Sequence, residues 1–223
     1  MPATPRPAAS RLALLVPVGA ALFTVAWLVL GAVSPGYVLF GRTIAPYSWI
    51  SQPVSGLGLG VTGPWMNAAF VGCGILILVG TVSTAAAWRR RGRLATAAFA
   101  LMVPMGAGMI LCGLFTLESM MLHLLGFLLA VPLPATGFVL AGLALSRTSR
   151  GPAVSALAGG VIALILFGVF MATFDATGAG GNEGISGLIQ RALITVVLAT
   201  QAALVVGLSR ANVRVGPDAL PVR

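Results

Sequence analysis

Residues 65–115 read WMNAAFVGCGILILVGTVSTAAAWRRRGRLATAAFALMVPMGAGMILCGLF, two long apolar runs joined by an arginine-rich turn at 89–93. An α-helix needs about 20 mostly apolar residues to cross the hydrocarbon core of a bilayer, and each run is at least that long. Short loops rich in Lys and Arg stay on the cytoplasmic side of a membrane. The stretch therefore predicts two transmembrane helices whose connecting turn faces the cytoplasm.

The composition extends this interpretation to the whole chain. Of its 223 residues, 58% are hydrophobic and only 8% are charged, and the mean hydropathy is +1.04, whereas about a quarter of the residues in soluble domains are charged. The formal net charge of +9 includes thirteen basic residues, all of them arginine. Because they lie mainly in short runs between apolar segments, as topology signals do, we expect no nucleic-acid partner. A lysine-free chain rich in Ala, Gly and Arg indicates a GC-rich bacterial gene.

Six apolar runs predict an all-α polytopic membrane protein, a bundle of six transmembrane helices with both termini cytoplasmic. The first run exceeds the apolar core of a signal peptide, about 7 to 15 residues, so we expect it to be retained. Proline predicts a kink at Pro104 and a bend near Pro132 and Pro134, while Gly106 and Gly108 favour close helix contact. The predicted spans are 12–33, 65–88, 94–115, 120–145, 152–174 and 188–208, between a disordered cytoplasmic tail at 1–11 and a cytoplasmic tail at 209–223.

The distribution of charge supports this layout independently of hydropathy. Eleven of the thirteen arginines fall on the predicted cytoplasmic side, and only Arg42 and Arg191 fall on the outer side. Three of the four acidic residues, Glu118, Asp175 and Glu183, also fall on the outer side. In a protein of the cell membrane, the outer face is therefore where we expect opposite charges to pair.

The start of the fourth span carries the only histidine of the chain, His123. At helical spacing Ser119, His123 and Gly126 share one face, and Glu118 points away from it. Two interpretations stay open. The face packs against other helices, or it lines an outward-facing pocket in which the imidazole binds a lipid head group or accepts a proton. The catalytic candidates are accordingly His123, Glu118 and Ser119.

The chain lacks residues that the familiar hydrolytic centres require. One histidine and two cysteines inside apolar segments, Cys73 and Cys112, cannot supply the three or four ligands of a zinc site, so no metal and no cofactor are expected. Ser119 lies four residues before His123, but no Gly-x-Ser-x-Gly elbow and no third member accompany them, which disfavours a serine hydrolase. A transporter would need charged groups near the membrane midplane, and Gln201 alone is a thin basis for one.

The outer ends of the spans hold the expected ligand-binding residues. Arg191 lies one turn inside the sixth span, where a guanidinium needs a carboxylate or phosphate partner or extends to the head groups. The first outer connection, 34–64, is rich in aromatic residues and is expected to lie on the membrane surface, with a short helical turn within 50–58. The expected ligand-binding set is Arg191, Gln190, Glu118, His123, Ser55, Glu183 and Asp175.

Three patches of sequence together resemble a known family. They are SQPVSGLG at 51–58 with NAAF at 67–70, GLF at 113–115 with Glu118 and His123, and GLIQR at 187–191. The chain resembles, over about residues 12–208, the bacterial and archaeal DUF998 family of multi-pass membrane proteins, distantly similar in layout to six-span Frag1/DRAM-like proteins. The acid near the position of Glu118 is more often aspartate in that family. The resemblance implies a multi-pass fold and no particular activity.

These observations favour an integral membrane protein that is not an enzyme and that binds a lipid, a small amphiphile or a membrane partner at its outer-leaflet face. The lipid bilayer is its expected surrounding, and a homo-oligomer or a complex with a membrane partner stays open. Two alternatives remain: an enzyme acting on lipid head groups with His123 as general base, and a small-solute transporter.

Overall fold

A computed structural model describes residues 11–214 of the chain. Within that range, six helices are long and apolar enough to cross a membrane, which confirms the predicted all-α polytopic bundle. Most of the predicted N-terminal tail, and the C-terminal tail beyond residue 214, lie outside the described residues. The candidate spans are Leu15–Val33, Gly60–Val82, Arg93–Leu114, Leu117–Leu145, Arg150–Thr173 and Ser186–Ser209.

Breaks inside the third and fourth spans fall where the sequence predicts them. The third span is interrupted at Val103, and a new helix begins at Pro104. The fourth span is interrupted at Val131, and a new helix begins at Pro132. Proline has no N–H to donate, and its ring collides with the carbonyl one turn earlier, so a helix cannot pass through it undisturbed. The α-helices are α1 Leu15–Val33, α2 Gly63–Val82, α3 Ala85–Arg89, α4 Arg93–Met102, α5 Pro104–Leu114, α6 Met120–Ala130, α7 Pro132–Leu145, α8 Arg150–Thr173 and α9 Ser186–Arg214.

Close glycine contacts hold the centre of the bundle together. Helix α2 packs on α1 and α5, α5 also packs on α6, and α8 lies between α7 and α9. A Cβ atom on Gly74 would lie 2.7 Å from the carbonyl oxygen of Gly106, and one on Gly108 would lie 2.4 Å from that of Gly126. Small residues let membrane helices approach closely enough for backbone-to-backbone contact. The predicted role of Gly106 and Gly108 is therefore confirmed.

The first outer connection contains a β-hairpin that the sequence analysis did not predict. Strand β1, Tyr37–Leu39, pairs antiparallel with β2, Arg42–Ile44. The two-residue turn places Phe40 and Gly41 at positive φ, 49° and 77°, which suits the right-handed twist of the flanking strands. The hairpin packs beside the loop between α8 and α9, residues 174–185, because Gly178 of that loop approaches Ile44 and Leu39.

The rest of this connection is inserted into the bundle. Every residue from 51 to 59 is buried, and 3₁₀-helices occupy Val54–Gly58 and Gly60–Thr62. The expectation that this part of the connection lies on the membrane surface is therefore wrong. Irregular backbone at membrane depth is tolerated where protein groups satisfy its hydrogen bonds. We call residues 51–59 the inserted segment.

The orientation of the bundle can be tested with two exposed loop positions. Ser149→Cys in the loop before α8 should resist a membrane-impermeant maleimide added to intact cells and react after permeabilisation, because its arginine-bearing loop is predicted to be cytoplasmic. Ala179→Cys, in the loop before α9, should react in intact cells. The native cysteines are buried and give little background. Labelling of Ser149→Cys in intact cells would contradict the predicted orientation.

Candidate functional site

Arg191, at the outer end of α9, fastens the inserted segment to the bundle. Its Nη1 donates to the carbonyl oxygens of Trp49, Gln52 and Gly187 at 2.8 to 2.9 Å. Its Nη2 lies 2.5 Å from the hydroxyl of Tyr47. A guanidinium presents several donors in a fixed fork, so one side chain can satisfy several carbonyls at once.

Aromatic rings complete the surroundings of this guanidinium. Its central carbon lies 5.3 to 5.7 Å from the ring centroids of Trp27, Tyr47 and Trp49, within the range of cation–π attraction. Burial raises the pKa of Tyr47 more than Arg191 lowers it. The phenol therefore stays protonated and donates to the carbonyl of Pro53 at 3.1 Å. Arg191 is thus surrounded by carbonyl dipoles and aromatic faces.

The expected ion pair between Arg191 and an outer acid is absent within the described residues. Asp175 is occupied elsewhere, because its carboxylate accepts the backbone N–H groups of Gly180 and Thr177 and the Thr177 hydroxyl. Those hydrogen bonds, led by the one from Gly180, lower the pKa of Asp175 to about 2. Glu118 and Glu183 are both exposed. Arg191 therefore donates to neutral acceptors that are close to it in space, and not to the carboxylates that the sequence predicts as its partners.

Two glutamines hold the inserted segment from opposite sides. The Nε2 of Gln52 donates to the carbonyl of Gly181 and to Oδ1 of Asn182, which ties the segment to the loop between α8 and α9. From α9, the Oε1 of Gln190 accepts the backbone N–H of Val54 at 2.6 Å. These contacts fix the position of Ser55, the residue after Val54.

Ser55 and His123 form a hydrogen-bonded pair. The Oγ of Ser55 lies 2.9 Å from Nε2 of His123, and the Nδ1 of His123 lies 2.7 Å from the carbonyl oxygen of Phe115. A carbonyl can only accept, so Nδ1 carries the hydrogen and Nε2 accepts the serine O–H. Both side chains are almost fully buried, at 6% and 5% exposure. The pair thus has one defined arrangement of donors and acceptors.

Gln190 adds an unpaired donor beside this pair. Because the N–H of Val54 can only donate, the Gln190 atom facing it must be the carbonyl oxygen, which leaves the amide Nε2 directed elsewhere. No hydrogen-bond acceptor is given for that Nε2 among the described residues. Gln190 lines the same cavity as Ser55 and His123. Its amide N–H₂ is therefore available to a bound molecule.

The cavity at which these three residues meet has a volume of about 230 Å³. It lies between α6 and α8, and its lining includes Met171, whose side chain is 37% exposed. A smaller cavity of about 40 Å³ shares three of its lining residues, Ser55, Phe127 and Gln190. The apolar walls of the larger cavity come mainly from Met120, Leu124, Phe127, Phe170, Met171 and Phe174.

The predicted polar face of the fourth span is only partly confirmed. His123, Gly126 and Ala130 face the interior, but Ser119 is exposed and lies in a 3₁₀ turn, Leu117–Ser119, that precedes α6. Ser119 therefore does not partner His123. Ser55 takes that place, from a segment 68 positions earlier in the chain. No three His, Cys, Asp or Glu side chains within residues 11–214 are grouped so as to hold a metal ion.

Comparison with known proteins identifies the family of the chain. A family model described as "Protein of unknown function (DUF998)" matches residues 17–207, nearly the whole bundle. The chain belongs to the DUF998 family. No curated protein and no solved structure matches it significantly.

In this DUF998 protein, the three sequence patches that carry the resemblance meet at the end of the bundle where α9 begins. The inserted segment supplies Ser55, α6 supplies His123, and α9 supplies Gln190 and Arg191. All four are among the predicted ligand-binding residues. The direct contact between Ser55 and His123 is not among the predictions, because neither spacing nor residue type gives a signal for it.

The stability of the DUF998 bundle should depend on Arg191. In Arg191→Ala, the buried carbonyls of Trp49 and Gln52 lose their donor, and each buried polar group left unsatisfied costs about 1 to 3 kcal/mol. We expect the free energy of unfolding in detergent to fall by roughly 3 kcal/mol. The matched control Arg42→Ala removes an exposed arginine and should change it by less than about 0.5 kcal/mol. Equal effects of the two substitutions would contradict the anchoring role.

Proposed function

We propose that this protein binds a single-chain amphiphile, or one chain of a lipid, taken laterally from the outer leaflet into the cavity between α6 and α8. The observation that carries the proposal is the combination of apolar walls with one polar end. Phenylalanine, methionine and leucine side chains form the walls, and Ser55, His123 and Gln190 form the polar end. Ligand sites are typically mostly apolar, with a few placed polar groups that fix orientation.

The depth of the polar end suits an amphiphile. His123 lies about one turn from the start of α6, and Gln190 lies about one turn from the start of α9. The arginine distribution puts both ends on the outer side. A head group at this level stays close to the bilayer interface while its chain extends along the deeper ring of Phe127. No displacement across the membrane is needed, which favours binding over transport.

The volume of the cavity limits the size of the ligand. At about 230 Å³, the cavity is smaller than the roughly 300 Å³ at which sites for drug-sized ligands begin. It therefore accommodates a single chain or a small head group, and the rest of a larger lipid would stay in the bilayer. The buried rings of Phe127 and Phe170, with centroids 5.3 Å apart, join α6 and α8 beside the cavity.

Photolabelling tests the proposal. The protein in lipid vesicles would be irradiated with a trace of a diazirine-bearing fatty acid, and the modified residues would be mapped by mass spectrometry. We expect labels to concentrate on the cavity faces of α6 and α8, and Met171→Trp, which narrows the opening, to lower labelling there several-fold. A uniform spread of label over all lipid-facing helices would contradict the proposal.

Val169→Trp is the matched control. Val169 lies on the same helix two residues away and has a similar exposure, 39%, but it does not line the cavity. Labelling should be unchanged in this variant. An equal loss in both variants would mean that a bulky residue on α8 perturbs the bundle rather than closing the cavity. Mass spectrometry of lipids that copurify with the wild-type protein would identify the class of amphiphile.

A further inference from the structure

We infer that Ser55 is a nucleophile for acyl transfer: it takes the acyl group of an ester-bearing amphiphile and passes it to water. The inference rests on the proposed function, since the ester must occupy the same cavity. Its basis is the convergence of three roles at one place. Ser55 supplies the hydroxyl, His123 supplies a base within hydrogen-bond reach, and Gln190 supplies an unpaired donor.

The hydrogen bonds of His123 prepare it as a base. With the hydrogen of the imidazole held on Nδ1 by the carbonyl of Phe115, the lone pair of Nε2 points at Oγ of Ser55, 2.9 Å away. A nucleophile in contact with a base, which is itself oriented by a third group, is the arrangement that activates serine in unrelated hydrolases. The third group here is a neutral carbonyl instead of a carboxylate. It fixes the tautomer but stabilises the imidazolium less, so we expect slow turnover.

Gln190 is placed to stabilise the oxyanion. Its Oε1 is held by the N–H of Val54, the residue next to Ser55, and its Nε2 has no acceptor given among the described residues. Side-chain amides serve as oxyanion-hole donors, and removing one such donor typically slows the reaction by about 10² to 10³. The contact with Val54 orients the amide before a substrate arrives, which is the condition for this kind of stabilisation.

The reaction balances without any other reagent than water. Oγ of Ser55 bonds to the ester carbonyl carbon as its proton moves to Nε2 of His123. The bond from that carbon to the alcohol oxygen then breaks, and the alcohol leaves with the proton from Nε2. Water next attacks the acyl-serine and gives its proton to Nε2, and the bond to Oγ breaks. The carboxylic acid is released, and Oγ regains a proton from Nε2.

A long-chain alkyl fluorophosphonate tests this inference on the full chain in detergent. The probe transfers its phosphonyl group to an activated serine and releases fluoride, and intact-mass and peptide analysis locate the adduct. We expect one adduct, on Ser55, which Ser55→Ala abolishes. His123→Gln should slow labelling by about 100-fold or more, because it removes the general base. Gln190→Glu keeps the acceptor for the Val54 N–H while removing the amide donor, and should slow labelling by about 10² or more.

Ser51→Ala is the matched control, since Ser51 is a buried serine of the same inserted segment whose Oγ has no hydrogen-bond partner within residues 11–214. Labelling at Ser55 should persist in this variant. Thermal unfolding would be measured for every variant, and only folded variants compared. An adduct on Ser51 instead of Ser55 would overturn the inference. So would the absence of an adduct on folded wild-type protein whose cavity still takes up the photoreactive fatty acid, and the proposed binding would then stand alone. Loss of both signals would overturn the proposed function as well.

Discussion

The outer end of this protein depends on one constraint: the inserted segment has irregular backbone in a place from which water is excluded. Each of its buried N–H and C=O groups must find a protein partner, since an unsatisfied group costs about 1 to 3 kcal/mol. Arg191 meets part of this requirement: its guanidinium donates to the carbonyl of Gln52 within the segment, and to the carbonyl of Trp49 and the hydroxyl of Tyr47 just before it. The start of α9 adds two more donors, Leu188 N–H to Ile50 O and Ser186 O–H to Ser51 O.

The same contacts set the geometry of the site. Helix α9 approaches the inserted segment so closely that a Cβ atom on Gly187 would lie 2.2 Å from the carbonyl oxygen of Gln52. With the segment held at that distance, Gln190 meets Val54, and Ser55 is directed at His123. The residues that hold the inserted segment in place therefore also form the site. In the Gln190–Arg191 pair both side chains hold the segment, and Gln190 also lines the cavity.

The parts of this architecture that depend on local sequence alone were predictable. Span number and the breaks at Pro104 and Pro132 depend on local composition and on the covalent structure of proline, so they can be derived from short windows. The surroundings of Arg191 could not be derived in that way. A search for its partner by charge alone points to Glu118, Asp175 and Glu183, whereas the protein satisfies it with backbone carbonyls, which every residue carries. The β-hairpin and the Ser55–His123 contact depend on tertiary packing for the same reason.

The polar residues at the end of the cavity provide more hydrogen-bonding groups than the inserted segment needs for its stability. Arg191 and Gln190 Oε1 already hold the segment, whereas the Ser55–His123 hydrogen bond contributes only about 1 kcal/mol net and requires a buried imidazole and hydroxyl. The amide Nε2 of Gln190 adds no stabilising hydrogen bond, because it has no acceptor among the described residues. Apolar side chains of similar volume would close this space at lower desolvation cost. A polar group that costs stability and lines a cavity is the arrangement that the proposed ligand site requires, since binding would supply the missing acceptor.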